Sequence, residues 1–394
     1  MSDTMTTHGK LAERMGRLGT ETAFEVLARA KALERQGKEI IHLEIGEPDF
    51  GTPENIKEAA IKALRDGKTG YCPAPGIPEL REALAADAGK RRGVDLKADR
   101  MVVFPGAKPV MTNLIFALVE EGDEVVYPNP GFPIYESMIK FVGAKPVPLP
   151  LREENEFRFD PEEMRSLVSD KTKLIILNSP ANPTGGMLAR SDLEAVAEMA
   201  KKHDAFVLSD EVYINIIYEG KHESILSIPG MMDRTILLDG LSKSYSMTGW
   251  RLGYGYFPEF LVEHVTRLNI NSISCTSHFS QWGALEAVTG PQTAVEKMVA
   301  EFRKRRGVIV NGLNAIDGIS CIMPKGAFYA FPNITGTGMK SQELERGLLD
   351  QAGVATLSGT SFGAYGQGFL RLSYANSVEN IEKALGRIRE FLKK

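Results

Sequence analysis

Between about Met101 and Tyr256 the chain alternates short apolar, β-branched runs with stretches of helical periodicity, and few folds accommodate that alternation. Residues 101–104 predict a strand and 110–118 a helix; 124–127 and 134–141 repeat the pair. Residues 174–177 (Leu-Ile-Ile-Leu) are all apolar, the mark of a strand covered on both faces. A helix over 192–203 follows, with Ser191 as its cap, then strands at 206–210 and 235–238, and a further one at 253–257. Such alternation implies an α/β architecture, a mainly parallel sheet with helices on both faces. Ligands of such sheets sit beyond the carboxyl ends of the strands.

The two ends of the chain read differently. A helix over 21–36 opens it; a long charged helix over 296–316, strands at 326–331 and 369–374 and a terminal helix over 378–392 close it. This mixed order predicts a smaller α+β domain. The 394 residues suffice for two cores, divided as residues 50–290 in a large domain, 291–394 in a small C-terminal domain, and 1–49 as an N-terminal segment contributing to the small one. The formal charge of −4 speaks against nucleic acid as a partner. Three scattered cysteines, Cys72, Cys275 and Cys321, have no metal-ligand spacing and suit a reducing compartment. The polar stretch Met1 to Lys10 carries no signal peptide, and no run of 18 apolar residues predicts a membrane span. The expectation is a cytoplasmic protein with no metal and no membrane partner.

Candidate chemical groups fall where the predicted strands end. Leu241-Ser242-Lys243-Ser244-Tyr245 places a lysine just past one strand, and Arg251 follows eight positions later. A lysine there can form a Schiff base with an aldehyde cofactor, and an arginine nearby can hold that cofactor's phosphate. Pro105-Gly106-Ala107-Lys108-Pro109 opens a helix after the first strand, and its small residues let backbone N–H groups approach an anion. Phe132 offers a flat face, although a core phenylalanine is the commoner use of that residue. Asn182, between Pro180 and Pro183, is fixed in direction and offers an amide. Asp210 ends an apolar strand, where a carboxylate is costly unless a cation pairs with it. Tyr213 lies three positions on. Arg371 lies inside the apolar run 369–374, and a buried guanidinium wants a carboxylate.

In this order the segments resemble the class I/II aminotransferases, fold-type-I enzymes that use pyridoxal 5′-phosphate. The likeness runs from Leu43-Glu44-Ile45-Gly46-Glu47-Pro48-Asp49-Phe50 to Phe369-Leu370-Arg371-Leu372-Ser373-Tyr374. Ser179-Pro180-Ala181-Asn182-Pro183-Thr184-Gly185 and the segment from Lys243 to Arg251 are its most diagnostic pieces. The resemblance implies Lys243 as Schiff-base lysine and proton shuttle, Asp210 opposite the pyridine nitrogen, and Tyr213 and Asn182 at the ring oxygen. It implies Phe132 stacked on the ring, and Gly106, Ala107, Lys108 and Arg251 around the phosphate. Arg371 and Asn182 would take the substrate α-carboxylate, with Gly46 lining that pocket. Tyr71 matches a tyrosine that reaches the phosphate of the neighbouring subunit, so a homodimer with shared sites is implied.

The likeness implies transfer of an amino group from an α-amino acid to a 2-oxo acid, with an aspartate- or aromatic-type donor and 2-oxoglutarate as acceptor. Some details depart from the family pattern. Gly240 stands where many relatives carry a phosphate-contacting serine, with Ser242 as the nearby substitute. Phe132 replaces the tryptophan of aspartate-selective relatives, while Lys108 matches a lysine that holds a distal carboxylate in one branch of them. Glu25, on the N-terminal helix, would disfavour acidic side chains. The competing readings are a lyase or oxidase on the same scaffold and a non-enzymatic sensor domain. A nucleotide-binding dehydrogenase is disfavoured because no G-x-G-x-x-G joins a strand to a helix.

Overall fold

The computed structural model describes residues 11–393; Met1 to Lys10, read above as lacking a signal peptide, lie outside them. Its centre is a seven-stranded sheet of β1 (Met101–Phe104), β2 (Glu124–Asn129), β3 (Lys145–Pro150), β4 (Thr172–Asn178), β5 (Phe206–Asp210), β6 (Thr235–Gly240) and β7 (Gly253–Tyr256). They lie in the order β1-β7-β6-β5-β4-β2-β3. Neighbours run parallel except at β7, which is antiparallel to both β1 and β6. Apolar clusters cover both faces, one through Val125, Leu174, Leu208 and Ile236, the other through Val103, Leu237, Tyr254 and Tyr256. This is the α/β architecture expected, and helices Ile134–Phe141 and Val378–Leu392 span the residues anticipated for them.

β3 was not anticipated, because Pro146, Pro148 and Pro150 break its pattern. The strand forms because it is an edge. Lys145 and Leu151 donate their N–H groups to Asp123 and Asn129 on the β2 side. The prolines occupy the alternate positions, whose missing N–H groups would face the open edge. A second correction concerns the helix expected over 192–203. It runs Arg190–Lys202, so Ser191 lies inside its first turn and is not the cap. Asp192 does that work by accepting the Ala189 N–H at 2.8 Å, while Arg158 grips its carboxylate at 2.6 and 2.7 Å.

The two expected terminal strands shorten to Tyr329–Ala330 and Leu370–Ser373, which pair antiparallel. Leu357–Ser358 completes that sheet. Near the N-terminus, Ile41–His42 pairs parallel with Val354–Ala355, and Arg29 of helix Thr22–Arg35 meets Asp350 at 2.5 Å. The first segment is therefore tied to the last hundred residues. Against the large sheet, Arg92 closes helix Pro78–Arg92 and is fully buried. Its guanidinium bridges Glu211 and Asp239 at 2.7 Å each, and so fastens the ends of β5 and β6 together. His222 also meets Glu211 at 2.7 Å, and the Tyr254 hydroxyl donates to Asp239 at 2.8 Å.

Candidate active site

At the carboxyl ends of these strands lies a cavity of about 490 Å³, within the size range of small-molecule sites. The sheet brings to it Ala107 and Lys108 after β1, Phe132 after β2, Asn182 after β4, Asp210 and Tyr213 at and after β5, and Ser242 and Lys243 after β6. Arg251, Arg371 and Gly46 complete the set anticipated from sequence. Gly106 stands just behind, at φ +95°, where an added Cβ would overlap the Arg251 guanidinium. Tyr71 is the exception: it is 89% exposed and does not line the cavity of its own chain.

The electrostatics of the cavity are unusual. Asp210 is buried, accepts a hydrogen bond from the Tyr135 hydroxyl at 2.6 Å, and forms no ion pair among the described residues. Burial pushes its carboxyl up to about 7, against the Tyr135 bond that lowers it. Lys243 moves the other way, down to about 8, first because it is desolvated and then because Arg371 is near. Its ammonium donates to the Gly46 carbonyl. Opposite shifts on two groups of one cavity are what acid–base chemistry near neutral pH requires.

Arg371 is buried, and among the described residues no carboxylate pairs with it. Its Nη1 donates to Asn182 Oδ1 at 3.1 Å and its Nη2 to the Glu44 carbonyl, while Nε has no partner. The guanidinium is sandwiched by the Tyr329 ring at 4.5 Å and the Phe362 ring at 4.9 Å. Arg251 sits in the left-handed region at φ +54° and touches only carbonyls, those of Thr248 at 2.9 Å and Pro105 at 3.4 Å. It lies beside the start of helix Lys108–Leu118, whose free N–H groups favour an anion. A buried acid without a cation and two guanidiniums without anions, among the described residues, mark a site suited to one cationic and two separate anionic groups.

Several contributors were not read from the sequence. Tyr135 and Tyr329 lie in apolar stretches of a helix and a strand, where only the need of a buried hydroxyl for a partner could flag them; Tyr329 meets the Tyr213 hydroxyl at 2.7 Å. Asn178 accepts the Asn182 N–H at 2.8 Å and donates to the Asp210 carbonyl at 3.1 Å, which joins two strand ends. Glu25 is exposed and does not line the cavity; the acids of the N-terminal segment that line it are Glu21, paired with Lys108, and Glu47. Gly240 and Ser242 both line the cavity, and a Cβ at 240 would meet only ordinary contacts at 3.4–3.5 Å.

Residues 38–388 match the model of the family described as aminotransferase class I and II. The chain belongs to the class I and II aminotransferases. It is 41% identical to the aspartate aminotransferase of Pyrococcus abyssi, over 90% of this chain and 92% of that one. It is 42% identical to aromatic-amino-acid aminotransferase 2 of Thermococcus litoralis, again over 90% and 92%. Among solved structures, the aspartate aminotransferase of Thermus thermophilus with maleate superposes with a TM-score of 0.93 at 37% identity, covering 97% of this chain and 99% of that one. The cavity therefore belongs to an aminotransferase of fold type I, a transaminase family whose chemistry runs on pyridoxal 5′-phosphate. Among the described residues no cluster of ligand side chains could hold a metal ion, and no helix is long and apolar enough to cross a membrane.

Proposed function

We propose that this aminotransferase moves the amino group of an aspartate- or aromatic-type L-amino acid to a 2-oxo acid such as 2-oxoglutarate in a ping-pong cycle, with pyridoxal 5′-phosphate held at Lys243. One observation carries the reading: Asp210, buried without a cation, shares its cavity with a lysine whose pKa is brought near neutrality. Pyridoxal 5′-phosphate supplies an aldehyde that condenses with amines and a protonated ring that draws electrons from the substrate. The residues fit that group: Asp210 offers the anion its ring nitrogen needs, and the cradle of Gly106, Ala107, Lys108, Ser242 and Arg251 offers backbone N–H groups, a hydroxyl and the Arg251 guanidinium to its phosphate.

Each side chain then has a task. Lys243 Nζ would be the base that takes the proton from the substrate Cα and the acid that returns it to the carbon of the cofactor's aldehyde, two bonds away. Its lowered pKa leaves an appreciable neutral fraction near pH 8. Asp210, oriented by the Tyr135 hydroxyl, would stay ionised opposite a positive ring nitrogen. Phe132, with the Tyr135 ring edge-on to it at 5.6 Å, would cover the ring. Tyr213 and Asn182 would donate to the ring oxygen. Arg371 and Asn182 clamp the α-carboxylate, which places the Cα–H bond within reach of Lys243, and Gly46 lines the same corner.

Tyr71 belongs to the same reading through a homodimer, in which it reaches the phosphate site of the other copy. In support, the Cys72 thiol donates to the Thr276 carbonyl and the Asn269 amide to the Ala74 carbonyl, which ties the chain beside the exposed Tyr71 to the end of helix Glu259–Ile273, where Ile270 and Ile273 are exposed too. Residues 1–49 and 291–394 act as the small domain against 50–290, in keeping with the pairing of Ile41–His42 to Val354–Ala355. The unpaired Cys72, Cys275 and Cys321 suit the cytoplasm. Two-substrate kinetics with aspartate or tyrosine and 2-oxoglutarate test the reading: parallel double-reciprocal lines and glutamate formed mole for mole with the keto acid are expected. Ammonia released without an acceptor would contradict it.

A further inference from the structure

Among the described residues four cations line the cavity: Lys108, Lys243, Arg251 and Arg371. On the reading above three of these charges are committed to the cofactor or to the α-carboxylate, and the Lys108 ammonium remains. Its ammonium lies 5.5 Å from the centroid of the Phe132 ring and is in salt-bridge contact with the carboxylate of Glu21. Glu21 comes from a different part of the molecule, immediately before helix Thr22–Arg35, which is anchored by Arg29 to Asp350. Only 17% of its side chain is exposed, and it lines the cavity beside Phe24 and Glu47.

We propose that Glu21 is a specificity-determining residue: it is a built-in anion that occupies Lys108, and a substrate with a distal carboxylate must displace it, whereas an aromatic or other monocarboxylic substrate enters with the pair intact. The inference rests on the function proposed above and refines its choice of donor. An apolar side chain entering beside a bare ammonium would desolvate that charge without a partner, which is costly. With Glu21 in place the charge is neutralised and the Phe132 side of the cavity accepts a ring. A dicarboxylate finds the same ammonium already taken and a carboxylate beside it, so it binds more weakly than Lys108 alone would allow. The proposal makes the chain a transaminase of broad donor range, with its bias against acidic side chains set by one residue of the N-terminal segment.

Equilibrium binding to the cofactor-loaded enzyme separates the alternatives without turnover. Calorimetric titration with succinate and with 3-phenylpropionate is carried out on the wild type, Glu21→Gln, Lys108→Gln and the double variant. Glu21→Gln is expected to shift the affinity ratio toward succinate by about tenfold, and to produce no such shift when Lys108 is already glutamine. A shift that is absent, that is reversed, or that persists in the Lys108→Gln background overturns the proposal. If neither ligand binds the wild type and no amino acid converts its cofactor, the donor reading falls as well; binding of both without an effect of Glu21 removes only the role of Glu21.

Discussion

Asp210 shows how a single residue can be unfavourable for the fold and still be held in the cavity. Its folded pKa, about 7, lies above the ordinary value of 3.8 because burial disfavours the charge. The folded state without cofactor therefore binds a proton that the unfolded chain has already lost. Stability from this group is full below about pH 3.8 and is lost as pH rises through about 7. In the cofactor-free protein, Asp210→Asn should accordingly raise the unfolding midpoint more at pH 8 than at pH 5, by on the order of a few degrees. Equal changes at the two pH values would show that the carboxyl is not desolvated as described. The residue types at the site were legible in the sequence because a charge inside an apolar run, as at Asp210 and Arg371, needs a partner. Tyr135, Tyr329 and Glu21 were not, since an aromatic in an apolar pattern reads as core and Glu21 reads as the flank of a helix. The same limit misplaced the acid of the N-terminal segment at Glu25, because helical spacing does not say which turn will face a cavity assembled from distant strands.

Among the elements, the ends of β5 and β6 carry Asp210 and lead to Lys243, and Arg92 holds them together from the last turn of helix Pro78–Arg92. Its charge, with the hydrogen bonds from His222 and Ser224, holds the Glu211 carboxyl well below its usual range in spite of burial. Arg92→Leu would strand two buried carboxylates, and a loss of about 3–5 kcal/mol in unfolding free energy is expected from denaturant titration. Arg92→Lys should recover only part of it, because an ammonium cannot serve two acids in a fork. Full stability in the leucine variant would contradict the clamp. Nearly every element of the large sheet was legible, since strands covered on both faces must be apolar throughout. β3 was hidden because three prolines are compatible with a strand only at an edge, and edge position is a property of the assembled sheet. Ser191 was misassigned for a related reason: Asp192, held by Arg158 from another segment, caps its helix instead.

At the scale of the whole molecule, Tyr71 is the anticipated site residue that the single chain leaves exposed to solvent and outside its cavity. A homodimer with shared sites gives a specific result when two inactive variants are mixed and allowed to exchange subunits. Tyr71→Ala and Lys243→Ala chains, each crippled alone, would form hybrids with one intact site, and activity should return to roughly a quarter of the wild-type value if hybrids make up half of the dimers. No recovery, with exchange shown to occur, would place Tyr71 outside the partner's site. The central claim, that Lys243 and its surroundings make this family member a transaminase, is tested most directly by the absorbance spectrum of the cofactor-loaded protein before and after single amino acids are added without acceptor. The expected result is a visible band that gives way to ultraviolet absorbance with an aspartate- or aromatic-type donor, one equivalent of keto acid per site, and no such band in Lys243→Ala. A band that forms equally well in Lys243→Ala, or a wild type that binds pyridoxal 5′-phosphate without one, would contradict it.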